Sequence, residues 1–168
     1  MSEEKVHPHD EVEGIAFAVL TVSSSRTLDE DDSGDAIAEA IETDGKAVAT
    51  RELVTDDRDQ IAAAVEALVE RSDIDAVVST GGTGLSPEDV TVEAVRPLLD
   101  QEIPGFGELF RWLSYEDVGP HALLSRAFAG SRDGVPIFCL PGSQQAASFG
   151  TEQLILPTVA HILGHTQG

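Results

Sequence analysis

The groups best suited to phosphate chemistry in this sequence are one glycine-rich turn and two aspartates. The turn, Thr80-Gly81-Gly82-Thr83-Gly84, lies between the apolar, β-branched run Ile74 to Ser79 and a helical pattern starting at about Val92. Such a strand-to-helix turn aims free backbone N–H groups and the positive end of a helix dipole at one point, which suits an anion such as phosphate. Glycine permits φ > 0 and lets the backbone come close to a ligand. Asp89 lies on the same loop, where a carboxylate can hold a metal ion beside that phosphate. Neither of the commoner phosphate motifs is present. Gly82-Thr83-Gly84 lacks the third glycine of a dinucleotide fingerprint, position 87 being Pro, and no Gly-Lys-Ser/Thr follows. On residue types alone, a tight turn with no ligand fits as well.

The elements around these residues follow from periodicity. Gly14 to Val22 is a near-continuous apolar run, as in a central parallel strand. Ser33-Gly34-Asp35 opens a helix with Ala36, Ile37, Ala40 and Ile41 on one face, and Gly45 ends it. Ala47 to Val54 reads as the second strand. A helix with Ile61, Ala64, Val65 and Leu68 at helical spacing follows, and Ile74 to Ser79 is the third strand. The order β-α-β-α-β predicts an α/β fold: a doubly wound, mostly parallel sheet flanked by helices on both faces. In such sheets ligands bind beyond the carboxyl ends of the strands. Ser23, Asp56 and the Gly81 to Asp89 loop all fall at those ends. Asp56 and Asp57 also suit a plain helix start.

The second half is less regular. Val92 to about Leu99 reads as helix, with Pro97 kinking or ending it. Gly107 to Leu113 reads as a short helix. Ala122 to Ala129 and Val135 to Leu140 read as a late hairpin around the turn signal Gly130 to Gly134. A last helix is expected from about Gln144 to Leu163, kinked at Pro157. The expected organisation is a flexible acidic tail over residues 1–13 and a single α/β domain over 14–168.

Composition narrows the classes of function. The net charge is −21, from 31 Asp and Glu against 10 Lys and Arg scattered through the chain. Scatter points to an acidic surface rather than an interaction tail, and resembles a cytoplasmic protein from a salt-accumulating organism. No basic stripe exists for nucleic acid. No apolar run reaches a membrane span, and the acidic start is not expected to act as a signal peptide. Cys139 is the single cysteine, so no internal disulfide or Cys/His zinc cluster can form. It lies in an apolar run and reads as a small buried hydrophobe. His161 and His165 share a helix face without a third ligand.

At these residues the chain resembles the MogA/MoaB family of molybdenum cofactor biosynthesis proteins, related to the gephyrin G domain. The matching pieces are Leu20-Thr21-Val22-Ser23, Ser33-Gly34, Ser79 to Gly84 with Asp89-Val90-Thr91, Pro104 to Glu108, Leu124-Ser125-Arg126-Ala127 and Leu140-Pro141-Gly142-Ser143. The stretch Phe106 to Gly119 is more similar to the MoaB branch. The resemblance implies binding of molybdopterin, a pterin with a dithiolene and a terminal phosphate. It implies adenylylation of that phosphate with Mg-ATP, release of pyrophosphate, and transfer of the product to a molybdate-inserting protein. A non-catalytic binding or assembly role in the same pathway is the alternative. Residue by residue, it implies that Thr80, Gly81, Gly82, Thr83 and Gly84 cradle a phosphate. Asp89 then meets the metal and nucleotide, and Asp56 is the second catalytic carboxylate. Ser23 joins the binding residues, while Ser125, Gly142 and Ser143 line the pterin pocket. As residues alone, Ser125 also reads as a strand hydroxyl and Ser143 as a helix N-cap.

Three positions depart from the family pattern. Ser24 stands where active relatives often carry Asp, Glu88 where Arg is frequent, and Gln144 and Gln145 where Lys is frequent. The resemblance also implies a homotrimer or homohexamer. Phe106, Phe110, Trp112, Leu113 and Tyr115 offer a subunit contact or a share of the core.

Overall fold

The structure is a computed structural model that describes residues 13–167. The expected tail, apart from Glu13, lies outside those residues, as do His7 and His9. The strands are β1 (Ala16–Val22), β2 (Ala47–Val54), β3 (Ala76–Thr80), β4 (Gln101–Glu102), β5 (Phe128–Arg132) and β6 (Val135–Leu140). They form one sheet in the order β2-β1-β3-β6-β5-β4. The pairings β1–β2, β1–β3 and β3–β6 are parallel, and β5 and β4 close one edge as antiparallel additions. The helices are α1 (Asp32–Thr43), α2 (Arg58–Val69), α3 (Thr91–Val95), α4 (Pro104–Val118), α5 (Gln144–Gly150) and α6 (Leu156–Thr166).

The apolar runs of β1, β3 and β6 are buried because helices cover both faces. Alternate residues serve opposite layers. Phe17, Val19, Val78, Phe138 and Leu140 pack with α1, α4, α5 and α6 through Ile37, Ile41, Phe106, Phe110, Ala147 and Val159. Ala18, Leu20, Val77, Ile137 and Cys139 pack with α2 and α3 through Ile61, Val65, Leu68, Val92 and Val95. This is the expected α/β architecture. Three helices start on side-chain caps. Asp31 accepts from the Gly34 N–H, Asp57 from Gln60 and Ser143 from Ala146. Each cap contributes about 1 kcal/mol. Among the described residues, no helix is long and apolar enough to cross a membrane.

The second half corrects several expectations. Ala122 to Ala129 is not a strand: Gly119–Leu124 is a 3-10 turn and β5 starts at Phe128. Leu123 and Leu124 are exposed, so this apolar stretch carries no sheet face. Gly130 and Ser131, expected in the turn, lie inside β5. Gly130 pairs with Glu102, and a Cβ there would sit 2.5 Å from the Gln101 carbonyl oxygen, so only glycine fits beside the short edge strand. The hairpin turn is Asp133-Gly134 alone, with φ of 49° and 80°, as a two-residue primed turn requires. Helix α4 runs from Pro104 to Val118, longer at both ends than Gly107 to Leu113. Proline suits its first turn, and Gly119 (φ 62°) ends it. The last helix is divided by a π-helical turn at Thr151–Ile155. That widened turn lies just before Pro157, whose missing N–H interrupts the helical ladder.

Candidate active site

The strand order reverses at β1. From β1 the chain steps outward to β2, then crosses back to β3 and on to β6. The crevice beyond the carboxyl ends of β1 and β3 is therefore the topological switch point, where open α/β sheets bind ligands. Ser23 to Arg26 follow β1, Asp56 follows β2, the Gly81 to Asp89 loop follows β3, and Pro141 to Ser143 follow β6. All four segments line one cleft of about 630 Å³.

The glycine loop is fixed from behind. Gly81 has φ 105° and Gly82 φ 73°. A Cβ on Gly81 would lie 2.2 Å from the Val22 carbonyl oxygen, and one on Gly82 would lie 2.2 Å from Thr91 Oγ1. Both the backbone conformation and the space therefore demand glycine. Thr91 Oγ1 donates to the Gly81 carbonyl at 2.8 Å, and the Gly81 N–H donates to the Leu140 carbonyl at 2.9 Å. The loop is thus tied to α3 and β6 before any ligand arrives.

The two aspartates divide differently. Asp57, not Asp56, caps α2, accepting from the Gln60 N–H at 2.9 Å. That leaves the Asp56 carboxylate on the cleft, where the Ser24 hydroxyl donates to its Oδ2 at 2.8 Å. Asp89 also lines the cleft, and its Oδ2 accepts from the Ser86 N–H at 3.0 Å. Arg126 braces this loop from outside. Its Nε donates to the Gly84 carbonyl at 2.9 Å, its Nη2 to the Asp89 carbonyl at 3.0 Å, and its Nη1 pairs with Glu93. The hydrogen bond from Arg126 holds the Glu93 carboxyl below the usual carboxylate range. No role for Arg126 follows from spacing. Its bonds span 42 and 37 residues, and it shows in the sequence only as part of Leu124-Ser125-Arg126-Ala127.

The remaining candidates also converge, with one exception. Ser23, Gly81, Gly82, Thr83, Gly84, Ser125, Gly142 and Ser143 line the cleft with Asp56 and Asp89. Thr80 does not. It is buried, and its hydroxyl donates to the Pro141 carbonyl at 2.8 Å, joining the ends of β3 and β6. Ser23 Oγ accepts from the N–H groups of Ser25 and Arg26 and so shapes its own turn. Ser143 is an N-cap and a cleft residue at once. Ser125, Pro141 and Ser143 continue into a smaller apolar recess of about 180 Å³, walled by Phe110, Ala146 and Phe149, with Asp117 and His121 at its edge.

The cleft carries three carboxylates, Asp56, Glu88 and Asp89, and one cation, Arg26. Among the described residues, no three His, Cys, Asp or Glu side chains converge as a preformed metal cage. Carboxylates beside a glycine-rich loop suit Mg²⁺, which keeps several waters and takes one or two carboxylates plus substrate phosphates. Cys139 is fully buried, as expected of a small hydrophobe, and burial pushes its thiol up to about 12. His161 and His165 lie one turn apart on α6, their Nε2 atoms 3.1 Å from each other, outside the cleft lining.

Residues 18–161 match a family model described as "Probable molybdopterin binding domain". The chain belongs to the MoaB/MogA family. A molybdenum cofactor biosynthesis protein B from Halalkalibacterium halodurans is 43% identical over 158 residues, covering 94% of this chain and 93% of that protein. A crystal structure of a molybdenum cofactor biosynthesis protein B superposes with a TM-score of 0.90 at 42% identity, covering 92% of this chain and 97% of that one. The tungsten cofactor synthesizing protein MoaB from Pyrococcus furiosus gives 0.84 at 38% identity, covering 94% and 99%. These two structures therefore share the fold over more than nine-tenths of this chain.

Proposed function

We propose that the protein acts in molybdenum cofactor biosynthesis and adenylylates the terminal phosphate of molybdopterin with Mg-ATP. One observation carries this reading. Asp56, Asp89 and the glycine loop, from three separate strand ends, line the same cleft at the switch point. In the reaction a terminal phosphate oxygen forms a bond to the α-phosphorus of ATP, the α–β phosphoanhydride bond breaks, and pyrophosphate leaves. Such a transfer depends on positioning and charge neutralisation more than on a strong base.

The chain's own parts suit those needs. The Gly81 to Gly84 backbone, fixed by Thr91 and Leu140, offers a rigid cradle for a phosphate. Asp89 would hold Mg²⁺, which supplies Lewis-acid neutralisation of phosphate charge, and Asp56 is the second carboxylate of the cleft. Ser24 fixes Asp56 from beside it. The apolar recess beside Ser125 and Ser143 offers an apolar surface next to the cleft. A second reading, a non-catalytic molybdopterin-binding or assembly protein, draws on the scarcity of cations: Glu88 and Gln144 leave three acids facing one arginine. Incubation with molybdopterin, ATP and Mg²⁺ in concentrated KCl separates the two. Adenylylated molybdopterin and pyrophosphate are expected; bound but unchanged pterin would establish the second reading instead.

The assembly is read as a homotrimer or homohexamer. Helix α4 supports this: Phe106 and Phe110 are core residues, whereas Trp112 is 72% and Tyr115 57% exposed, beside exposed Leu109 and Val118. An apolar face of this kind marks an interaction surface. A cytoplasmic setting and transfer of the product to a molybdate-inserting protein complete the reading.

A further inference from the structure

Phosphate binding needs positive charge, and the cleft has little. Three arginines touch its lining residues. Arg126 is committed to the Gly84 and Asp89 carbonyls and to Glu93. The Nη1 group of Arg111 donates to the carbonyls of Ser125 and Ala127 at 3.3 and 3.0 Å. Arg26 differs, and among the described lysines and arginines it alone lines the cleft. Its Nη1 donates to Ser33 Oγ at 3.1 Å and to the Gly142 carbonyl at 3.2 Å. Among the described residues, its Nε and Nη2 meet no protein acceptor. One part of the guanidinium is pinned and the rest is open.

The pinning reaches into the core. Ser33 is buried, and its hydroxyl reaches Asp31 Oδ1 at 3.4 Å. Asp31 is fully buried and accepts from Thr21 Oγ1 at 2.5 Å, from the Gly34 N–H at 3.0 Å and from Arg51 Nη2 at 3.1 Å. The backbone N–H of Arg26 donates to Ser23 Oγ at 3.2 Å, which fixes where the side chain begins. A long, flexible side chain is thus oriented at both ends. A planar guanidinium with an open edge suits forked recognition of phosphate oxygens, which a point charge does not reproduce.

We propose that Arg26 is the phosphate anchor of this cleft, and that Ser33, held by Asp31, is the residue that positions it. This rests on reading the cleft as a phosphate-ligand site. The anchored group is a phosphate of either the pterin or the nucleotide.

The test measures equilibrium binding of molybdopterin, its dephosphorylated form and Mg-ATP to wild type, Arg26→Gln and Arg26→Lys, with melting curves for each. Arg26→Gln is expected to weaken a phosphate-bearing ligand by about 10- to 100-fold, the effect of a lost charge-assisted hydrogen bond. Affinity for dephosphorylated pterin should stay the same. Arg26→Lys should recover only part, because charge returns without the fork. A loss confined to molybdopterin identifies the pterin phosphate as the anchored group, and a loss confined to Mg-ATP identifies the nucleotide. Ser33→Ala should weaken the same ligand about three-fold in wild type and not at all in the Arg26→Gln background; an equal effect in both would end the positioning role. Unchanged binding of both phosphate ligands by a folded Arg26→Gln would overturn the anchor while leaving the cleft reading intact. Wild type that binds none of the ligands would defeat the cleft reading and the anchor together.

Discussion

Ser24 and Asp56 hold each other across the ends of two neighbouring strands. The Ser24 hydroxyl donates to Asp56 Oδ2 at 2.8 Å, and the Asp56 N–H donates to Ser24 Oγ at 3.1 Å. A hydroxyl at position 24 thus fixes the Asp56 carboxylate. Asp56→Asn should lower turnover by on the order of 10²-fold, as for loss of a preorganised charged group. Molybdopterin affinity should be retained, because the reading places Asp56 beside the nucleotide. Ser24→Ala should have a smaller effect, roughly ten-fold, through loss of the orienting bond. Single-turnover assays with separately measured pterin affinity check both; reduced affinity with unchanged turnover per bound pterin would reverse the role of Asp56.

Asp89→Asn should abolish Mg-dependent turnover with the fold intact. The amide oxygen can still accept from the Ser86 N–H, so the loop keeps its internal bond. Only the charge that would hold Mg²⁺ is removed, and the expected loss is about 10²-fold or more. Wild-type rates in the variant would remove this loop from the metal.

The thiol of Cys139 gives a pH dependence of known sign. Burial raises it from 9.0 to about 12, so the folded chain keeps a proton that the unfolded chain loses. Between those values the unfolded state binds fewer protons, and stability falls as pH rises. Cys139→Ala should be less stable overall, through its cavity, but should flatten that decline by up to about 1.4 kcal/mol per pH unit. Denaturant midpoints from pH 8 to 11 measure the difference; parallel curves for the two proteins would contradict it.

Legibility in the sequence tracked burial only in part. Strands β1 and β3 are read to within two residues, because their apolar runs serve the core and the turns beside them are polar; Ala47–Val54 is read to the residue although it is an edge strand with no fully buried residue. The same logic fails at Leu123 and Leu124, which are apolar yet exposed. It fails again at Gly130, where glycine marks a close strand neighbour rather than a turn. In the site, the strand-end argument places Ser23, Asp56 and the glycine loop correctly on one cleft. Thr80 is the last residue of β3, and its buried hydroxyl is taken by the Pro141 carbonyl after β6, a long-range bond with no local signal. Asp31 is one of the scattered acids that point to an acidic surface, yet it is fully buried. Its partners Thr21 and Arg51 come from β1 and β2, and long-range pairing leaves no local signal.

Trp112 should lie at a subunit contact. Sedimentation in molar KCl is expected to show a trimer or hexamer, and Trp112→Glu should shift it toward smaller species without unfolding the chain, since the indole contributes little to the monomer core. A stable monomer for the wild type would return this face to solvent.

Stability and assembly should both rise with salt into the molar range. The chain carries −21 charges on 168 residues, and the described ion pairs involve only Lys46, Arg51, Arg71, Arg96 and Arg126. Most of these pairs are exposed, where a single pair contributes at most about 1 kcal/mol. Net repulsion therefore opposes the compact state, and opposes association of like-charged subunits more strongly. Raising salt from about 0.1 M to 1 M shortens the screening length from roughly 10 Å to 3 Å and removes much of that repulsion. KCl is the informative salt, because sulfate would also strengthen apolar burial and mix the two effects. Melting temperature and sedimentation coefficient, followed together in KCl, should climb in parallel. If the melting temperature instead stays flat or falls, the acids are compensated locally, salt adaptation no longer accounts for Glu88 and Gln144, and the scarcity of cations beside Asp89 and Ser143 then favours the non-catalytic reading.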